Sequence, residues 1–340
     1  MLLPAILLAA SLIQATAAPT SNPNRAKAGA PDAVVALDGS GQYTSLQDAI
    51  SKAPMRTGVK DPAWVIFVKK GVYKERIYVQ RERGNIVVRG EDAATTIVTY
   101  DLHAGLPGPD GKPIGTFRTA TVQIDGDGMT WEDITLQNAA GEPGPRPTGP
   151  AVEQAVALRI DGDRVILRRV RLLGFQDTLL VNRGRHYFVD SYIEGTVDFI
   201  FGAATSYFDR CHIHVLRNGY VTAASTPEGT AHGLVFRDSK ITTGENVLAY
   251  LGRPWRSFAK TVFIRTEMSG GVRPEGWHNW NKPDAEKTTF YAEFESTGDG
   301  GKPAGRVAWA KKLTPSEGAA LTPEKVLAGE DRWNPLGAAR

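Results

Sequence analysis

The stretch Phe188-Val189-Asp190-Ser191-Tyr192-Ile193 decides the fold, because its pattern recurs along the 340-residue chain. Each copy begins with an aromatic or aliphatic residue, carries a charged residue at its third position and ends with an apolar residue. The six copies begin at Trp131, Leu167, Phe188, Phe208, Phe236 and Phe263. Their intervals are 36, 21, 20, 28 and 27 residues, which indicates a base period with insertions of variable length.

A base period near 20 residues is typical of a β-solenoid, in which each rung buries its inward side chains against the neighbouring rungs. The extra residues must then leave the solenoid as loops. The segment 139–150 contains three Gly and four Pro, which are incompatible with a central strand. We therefore expect an all-β solenoid with a loop over 139–150.

The ends of the solenoid have a different pattern. Residues 43–53 predict an N-terminal helix that caps the open end, with Thr44 or Ser45 as N-cap. The tail after Leu313 contains two Thr-Pro helix starts and predicts helical turns on the outside of the solenoid. The first strands are predicted over Trp64–Val68, Ile77–Val79 and Ile86–Val88.

The N-terminus predicts export. Residues 1–18 combine an apolar run with small residues suited to cleavage, so they are expected to be a signal peptide, followed by a linker over 19–33. One domain is expected over 34–340. The chain should be secreted or periplasmic, without a membrane anchor, because the apolar run is too short to span a bilayer comfortably and no Cys follows it.

The composition limits the classes of molecule that the chain is expected to bind. A formal net charge of +3 is small for 340 residues, which argues against nucleic acid and is compatible with a polyanionic substrate. The single cysteine, Cys211, cannot form an intrachain disulfide and is predicted to be a buried thiol. A monomer is expected.

Two aspartates occupy equivalent positions in successive repeats. Asp177 lies ten residues after Leu167, and Asp198 lies ten residues after Phe188. Stacked rungs would bring these carboxylates to about 4.8 Å. Two carboxylates at that distance separate their pKa values, which suits an acid and a base or nucleophile. The alternative is a structural aspartate ladder held by backbone amides.

Other polar residues fall on the same side of the solenoid. Gln154 lies 23 residues before Asp177, and Arg253 lies ten before the start of its repeat, as Asp198 does. Gln176 precedes Asp177. Trp255 follows Arg253 on the same strand face and could stack on a sugar ring. This set predicts a convergent polar site.

The sequence lacks the motifs of several common hydrolase mechanisms and of metal sites. The sequence has no Gly-x-Ser-x-Gly elbow, no His-Glu-x-x-His and no Cys-x-x-Cys, so a serine hydrolase of that type and a metal site are disfavoured, and no cofactor is expected. His212 and His214 alternate on one strand face and are interpreted as surface or stacking residues.

Five segments resemble the signature segments of pectin methylesterases and occur in that family's order. They are Gly71-Val72-Tyr73-Lys74-Glu75, Gln154-Ala155-Val156-Ala157-Leu158-Arg159, Gly174-Phe175-Gln176-Asp177-Thr178-Leu179, Asp198-Phe199-Ile200-Phe201-Gly202 and Leu251-Gly252-Arg253-Pro254-Trp255. The resemblance runs from about Val34 to Leu313. It implies a single-stranded right-handed parallel β-helix and hydrolysis of the methyl ester of galacturonate in pectin.

The resemblance also implies residue roles. Asp198 corresponds to the nucleophile, Asp177 to the proton donor and Arg253 to the partner of the nucleophile. Gln154 and Gln176 correspond to donors to the oxyanion. The substrate-binding residues implied are Thr116, Gln154, Phe201, Arg253 and Trp255. Demethylated galacturonates carry carboxylates, which basic groups such as Arg185 could meet.

Three departures from the family pattern concern the groove. Leu180 replaces a Tyr found in many members, Glu153 stands where plant members usually carry His, and the insertion 139–150 is longer than in plant members. Rival interpretations are an esterase of another ester or thioester, a chain-cleaving pectinase on the same solenoid and a non-catalytic carbohydrate-binding solenoid.

Overall fold

Short parallel strands make up most of the fold. The computed structural model describes residues 30–55, 62–145 and 149–337, and within them the chain forms 24 strands. The strands are β1 (Ala33–Val35), β2 (Trp64–Val68), β3 (Gly71–Lys74), β4 (Ile77–Val79), β5 (Ile86–Gly90), β6 (Thr96–Tyr100), β7 (Val122–Ile124), β8 (Thr130–Glu132), β9 (Thr135–Asn138), β10 (Leu158–Ile160), β11 (Val165–Arg168), β12 (Arg171–Leu173), β13 (Leu179–Val181), β14 (Arg185–Val189), β15 (Tyr192–Gly202), β16 (Thr205–Asp209), β17 (His212–Ala224), β18 (Leu234–Arg237), β19 (Lys240–Thr243), β20 (Ala249–Gly252), β21 (Lys260–Ile264), β22 (Glu267–Met268), β23 (Phe290–Phe294) and β24 (Lys311–Lys312).

These strands form three faces of a parallel β-helix. Face 1 is an 11-stranded sheet in the order β1-β2-β5-β8-β11-β14-β16-β18-β21-β23-β24. A 13-stranded sheet supplies the other two faces, because the long strands β15 and β17 turn a corner and pair on both. Face 2 contains β3, β6, β9, β12, β19 and β22, and face 3 contains β4, β7, β10, β13 and β20. The expected parallel β-helix is confirmed.

The pairing register on face 1 confirms the repeat read from the sequence. Each first residue of the pattern lies opposite the first residue of the next copy: Trp131 and Leu167, Leu167 and Phe188, Phe188 and Phe208, Phe208 and Phe236, Phe236 and Phe263. The four phenylalanines stack in the core with centroid distances of 4.6, 4.4 and 4.6 Å. Burial of these rings against one another joins successive rungs.

A helix covers the N-terminal end of the core, as predicted. Helix α1 (Leu46–Lys52) is shorter than the predicted 43–53, and its N-cap is Ser45. Leu46, Ala49 and Ile50 are buried in the main core. Their spacing places them on one side of the helix, which faces the end of the solenoid.

Two side chains fix this helix to the first rung. The Glu75 carboxylate accepts hydrogen bonds from the amides of Leu46 (3.1 Å) and Gln47 (3.0 Å). The Gln47 side-chain oxygen in turn accepts from the amide of Tyr78 at 2.6 Å. Tyr78 lies in the edge strand β4 at the end of the sheet. The helix therefore supplies the hydrogen-bond acceptor that a further strand would otherwise provide for the Tyr78 amide.

The C-terminal tail packs on the outside of face 1, as predicted. Helix α2 (Pro315–Ala320) begins with a capping box between Thr314 and Glu317, and α3 (Pro323–Val326) follows. Leu313, Val326 and Leu327 join a cluster on the outer surface of face 1, separate from the main core.

Arg185 belongs to this tail contact, and its interpretation as a substrate-binding group is wrong. Its guanidinium donates to Asp163 at 2.9 Å and to Asp331 at 2.5 Å, and also to the carbonyl oxygen of Ala328 at 2.7 Å. The side chain is fully occupied in fixing the tail.

The N-terminal boundaries differ slightly from the prediction. Ala33, assigned to the linker, is the first residue of β1 and pairs with Ile66. The predicted signal peptide and residues 19–29 of the predicted linker lie outside the described residues. Among the described helices, none has the length and apolarity needed to cross a membrane.

Candidate active site

A cleft of about 260 Å³ lies over face 3 and the corner where faces 2 and 3 meet. Its lining contains every site residue predicted from the sequence, together with Phe117, Ala223 and Trp280, which were not predicted. The predicted residues in the lining are Thr116, Gln154, Gln176, Asp177, Asp198, Phe201, Arg253 and Trp255.

Asp177 and Asp198 lie on neighbouring rungs, as their spacing predicts. Leu179 pairs with Ile200, and the Asp177 amide donates to the carbonyl oxygen of Val197 at 3.1 Å. Both aspartates have left-handed backbones, with φ of 66° and 53°. Aspartate tolerates this conformation better than most residues. The turn thereby directs two neighbouring carboxylates into the same cleft.

Small residues allow the chain to turn tightly beside the pair. A Cβ at Gly195 would lie 2.3 Å from the Cβ of Phe199, and one at Gly174 would lie 2.7 Å from the hydroxyl of Thr178. That hydroxyl donates to the carbonyl oxygen of Glu194 at 3.0 Å and so joins the two rungs. The glycine of each segment is thus required by close packing.

Arg253 holds Asp198 by two hydrogen bonds. Its Nε donates to Oδ1 at 2.8 Å and its Nη2 to Oδ2 at 2.7 Å. The side chains of the pair are 16% and 7% exposed, so water screens the pair weakly. This bidentate geometry fixes the orientation of the Asp198 carboxylate.

Two aromatic rings enclose the Arg253 guanidinium. Its Cζ lies 3.9 Å from the centroid of Tyr220 and 3.7 Å from the centroid of Trp280. The imidazole Nδ1 of His278 accepts from the Trp280 amide at 2.9 Å and fixes that segment. Stacking on both faces of the cation limits its movement while its edge remains available to Asp198.

The two carboxylates differ in their hold on a proton. Burial raises the pKa of Asp177 well above its ordinary value, and the charge of Asp198 raises it further. Burial also raises the pKa of Asp198, but the hydrogen bonds and charge of Arg253 oppose this increase. Asp177 therefore keeps its proton to higher pH than Asp198 does.

Gln154 and Gln176 occupy matching positions on consecutive rungs. The Ala155 amide donates to the Gln176 carbonyl oxygen at 3.2 Å, which repeats the bond from Asp177 to Val197. The prediction that Gln154 shares the phase of Asp177 is therefore corrected by one residue. Residues 151–157 lie outside the regular strands, so counting residues misplaces this rung.

Arg253 also lies outside the phase predicted for it. Thr222 pairs with both Ile200 and Gly252, and Phe201 pairs with Ala223, so Arg253 follows the register of Phe201. Its side chain reaches back to Asp198 along the solenoid. The predicted partnership between Arg253 and Asp198 is present. The predicted rung position of Arg253 is wrong because the number of residues between face 3 and face 1 changes from rung to rung.

Aromatic side chains continue the cleft beyond the carboxylates. Trp255 lies 5.8 Å from Phe201 and 6.3 Å from Phe117 between ring centroids. Phe201 is 4% exposed, whereas Phe117 is 40% exposed. Trp255 is partly buried, so part of its ring remains available to a ligand. An extended polymer could lie across these rings.

The sequence-based prediction missed Tyr220 and Trp280. Trp280 belongs to Gly276-Trp277-His278-Asn279-Trp280, whose aromatic density is a signal that could have marked it. Tyr220 follows a shift in the pairing register of β15 and β17. Counting residues from one repeat to the next therefore does not give its position on the rung.

The remaining candidates take no part in the cleft. Cys211 is 1% exposed, and burial raises the pKa of its thiol to about 12, as expected for an inert thiol. His212 and His214 both lie within hydrogen-bonding distance, 2.7 Å, of the Thr242 hydroxyl and contact the Tyr192 ring, which confirms a stacking role.

A family model described as pectinesterase matches residues 32–330, most of the chain. The chain belongs to the pectinesterase family. A pectinesterase of Daucus carota is 35% identical over 315 residues, which cover 88% of this chain and 93% of the relative. A probable pectinesterase/pectinesterase inhibitor of Arabidopsis thaliana is 36% identical over 319 residues, which cover 89% of this chain.

The lengths of these relatives differ. The chain spans 53%, 58% and 51% of three relatives whose names combine pectinesterase with pectinesterase inhibitor. The match therefore covers about half of those longer proteins and nearly all of the carrot protein.

Solved structures of the family have the same fold. The pectin methylesterase from carrot superposes with a TM-score of 0.80 and 34% identity, covering 89% of this chain and 95% of that one. A pectin methylesterase mutant in complex with a hexasaccharide gives a TM-score of 0.79 and 29% identity, covering 91% and 99%.

Proposed function

We propose that this protein hydrolyses the C6 methyl esters of galacturonate in pectin, giving pectate and methanol. The observation that carries the proposal is the pair Asp177 and Asp198 on neighbouring rungs, with Arg253 on only one of them. This asymmetry supplies a protonated acid beside an ionised nucleophile, as ester hydrolysis requires. The pectinesterase match supports the choice of substrate.

In the first half-reaction, an Asp198 oxygen attacks the C6 carbonyl carbon of the ester. The side-chain amides of Gln154 and Gln176 donate hydrogen bonds to the oxyanion that develops. Each such donor is worth about 3–4 kcal/mol in other hydrolases. Asp177 gives its proton to the methoxy oxygen as the C–O bond breaks, so methanol leaves and an acyl-enzyme on Asp198 remains.

In the second half-reaction, water completes the cycle. Asp177, now a carboxylate, takes one proton from water while the oxygen attacks the acyl carbon. The bond to Asp198 breaks, the galacturonate carboxyl group is released and Asp177 is protonated again. The net change is ester plus water to acid plus methanol.

Substrate binding is assigned to the aromatic part of the cleft. Phe201 and Trp255 offer apolar surface to the ring C–H groups of the polymer. Thr116 lines the same cleft from the segment that carries Phe117. We assign these residues to sugar binding, and we assign Tyr220 and Trp280 to positioning Arg253.

A methanol-release assay on highly methylated pectin tests the proposal. We expect methanol and a matching amount of acid, with no new reducing ends and no unsaturated ends. New chain ends would favour a chain-cleaving pectinase. Binding without turnover would favour a carbohydrate-binding solenoid, and turnover only of other esters or thioesters would favour a different esterase.

The cellular setting belongs to the same proposal. Pectin is an extracellular polymer, and the apolar run and small residues of 1–18 support export to the exterior or the periplasm. We propose a monomer without a membrane anchor. Size-exclusion chromatography with light scattering of the exported protein tests both the processed mass and the oligomeric state.

A further inference from the structure

The two oxyanion donors of the proposed mechanism are held in place by different means. Gln176 lies in the short connection 174–178 between β12 and β13, where the Thr178 hydroxyl bonds the next rung at 3.0 Å. Gln154 lies near the end of the long connection 139–157 between β9 and β10, outside the regular strands. The position of Gln154 therefore depends on contacts outside the strand ladder.

The Asn138 side chain supplies such contacts. Asn138 is the last residue of β9 and is 2% exposed. Its Nδ2 donates to the carbonyl oxygens of Leu102 at 2.9 Å and Val156 at 3.0 Å, and that of Thr119 lies at 3.3 Å. Its Oδ1 accepts from the backbone amide two residues later at 2.9 Å. One buried amide group thereby joins both ends of the loop 101–121 to the segment that leads into β10.

A second buried side chain completes this junction. The hydroxyl of Thr119 accepts from the Val156 amide at 3.0 Å and donates to the Thr116 carbonyl oxygen at 2.8 Å. The Gln154 carbonyl oxygen accepts from the Ala104 amide at 2.8 Å. The backbone is thus tied to the loop on both sides of the Gln154 side chain. Because the junction is buried, water is a poor substitute for these polar groups.

We propose that Asn138 is a positioning residue for Gln154, acting through Val156 and the loop 101–121. This inference rests on the proposed function, in which Gln154 donates to the oxyanion, and extends it to a buried residue. A donor stabilises the oxyanion fully only when it already lies at hydrogen-bonding distance from the developing charge. Gln176 has its own support in the neighbouring rung, so its position does not depend on Asn138.

Asn138→Ala tests the proposal through the division of its effect between kcat and KM. On methylated pectin, kcat should fall about tenfold while KM changes less than about threefold, because the oxyanion forms only after the substrate is bound. Ser239→Ala is the matched control. Ser239 is also a buried polar side chain that bonds the backbone of a neighbouring rung, at Cys211 and Phe208. The control should lower stability and leave kcat unchanged, and an equal fall of kcat in both variants would overturn the proposal.

A double-mutant cycle identifies the group through which Asn138 acts. When Asn138→Ala is added to Gln154→Ala, kcat should change by less than about twofold, because the group that Asn138 positions is already absent. When Asn138→Ala is added to Gln176→Ala, kcat should still fall about tenfold. Any other pattern, including equal further losses in the two backgrounds, would refute the positioning role.

Thr119 provides a second pair of variants in case Asn138→Ala does not fold. Thr119→Val keeps the side-chain shape but removes the hydroxyl that bonds Val156 and Thr116, so it should lower kcat in the same way. Thr119→Ser keeps the hydroxyl and should retain kcat within about twofold of the wild type. Equal kcat values for the two Thr119 variants would contradict the role of the junction.

Side-chain amide NMR keeps the test independent of catalysis. Gln154→Ala and Gln176→Ala assign the two side-chain amide signals in the wild type. Asn138→Ala should shift the Gln154 signal by more than its line width and leave the Gln176 signal in place. An unmoved Gln154 signal would refute the positioning role even if methanol release is confirmed. A protein that shows the shift but releases no methanol would refute only the proposed function.

Discussion

Two of the stacks of left-handed residues along this solenoid arrange their charges differently. On face 1, the charged third residue of each of the six repeat copies is left-handed, and Glu295 continues the stack after β23, which gives seven residues with φ of 45–55°. We call them the charge ladder; they are Asp133, Arg169, Asp190, Arg210, Asp238, Arg265 and Glu295. At the corner of faces 2 and 3, Asp177 and Asp198 stack with φ of 66° and 53°.

The two stacks share their backbone geometry. In the charge ladder, the Asp133 amide donates to the Arg168 carbonyl oxygen on the next rung at 3.2 Å. In the catalytic pair, the Asp177 amide donates to the Val197 carbonyl oxygen at 3.1 Å. In both, the acceptor precedes the left-handed residue of the next rung. Side-chain charge therefore distinguishes them.

The charge ladder alternates in sign. Successive rungs pair Arg169 with Asp133 at 2.8 Å, and Arg210 with Asp190 at 2.8 Å. The catalytic pair places two acids next to each other, and Arg253 binds one of them. Alternating signs neutralise the charge of the ladder. Two adjacent acids with one arginine instead leave the buried Asp177 carboxyl group protonated to higher pH.

The largest expected effect comes from neutralising either member of the catalytic pair. Asp198→Asn removes the nucleophile and Asp177→Asn removes the acid, and each should lower methanol release at least about 100-fold. Asn also tolerates the left-handed backbone, so circular dichroism should show an intact fold. Either variant retaining more than about a tenth of the wild-type rate, a loss under ~1.4 kcal/mol, would remove that residue from the mechanism.

Asp177→Asn also has a predicted effect on stability. The folded-state pKa of Asp177 is raised, so between its unfolded and folded pKa values the folded wild type binds more protons than the unfolded chain. Wild-type stability therefore falls as pH rises through this window. The variant should be the more stable protein at neutral pH, with its advantage decreasing toward low pH in thermal denaturation. A stability loss that is independent of pH would contradict the raised pKa.

Removing Arg253 should make Asp198 a weaker acid and the enzyme less active. In Arg253→Ala, Asp198 loses the interactions that oppose the rise of its pKa, so it becomes protonated at higher pH. Because activity requires ionised Asp198, the acidic limb of the pH–rate profile should move to higher pH. We expect at least about a tenfold loss of rate on the acidic side. Arg253→Lys should reverse part of this shift, and an acidic limb that does not move in Arg253→Ala would exclude the ion-pair role.

Trp255→Ala tests the groove beside the pair. KM on long methylated pectin should rise about three- to tenfold, since stacking contributes roughly 0.5–1.5 kcal/mol. Unfolding free energy should fall by less than the ~3–5 kcal/mol expected for a core aromatic. Trp131→Ala is the matched control, because Trp131 is fully buried in the core and its loss should cost stability without changing KM. The reverse outcome would place Trp255 in the core.

The smallest effect should come from interrupting the charge ladder. Arg265→Asp places a third acid between Asp238 and Glu295 and reproduces the like-charge contact of the catalytic pair at an exposed position. The loss of stability at neutral pH should be about 1 kcal/mol or less, and it should diminish at low pH as the acids take up protons. Methanol release should remain unchanged. Arg265→Asn, which removes charge without adding an acid, provides the comparison.

Repeat counting predicted face 1 well because its side chains repeat the same contacts on every rung. The phenylalanine stack and the neighbouring positions of Asp177 and Asp198 followed from spacing alone. The rung positions predicted for Gln154 and Arg253 were wrong because loops of changing length precede both residues. Tyr220 and Trp280 were missed because their role depends on side-chain stacking, which strand period does not encode.

A carboxyl-carbon NMR titration of the aspartates tests the central claim most directly. Asp177→Asn and Asp198→Asn assign the two resonances. We predict that Asp177 titrates above Asp198 and well above an ordinary aspartate, and that Asp198→Asn lowers the pKa of Asp177 by removing a neighbouring charge. An Asp177 that titrates in the ordinary range, or below Asp198, would contradict the assignment of acid and nucleophile.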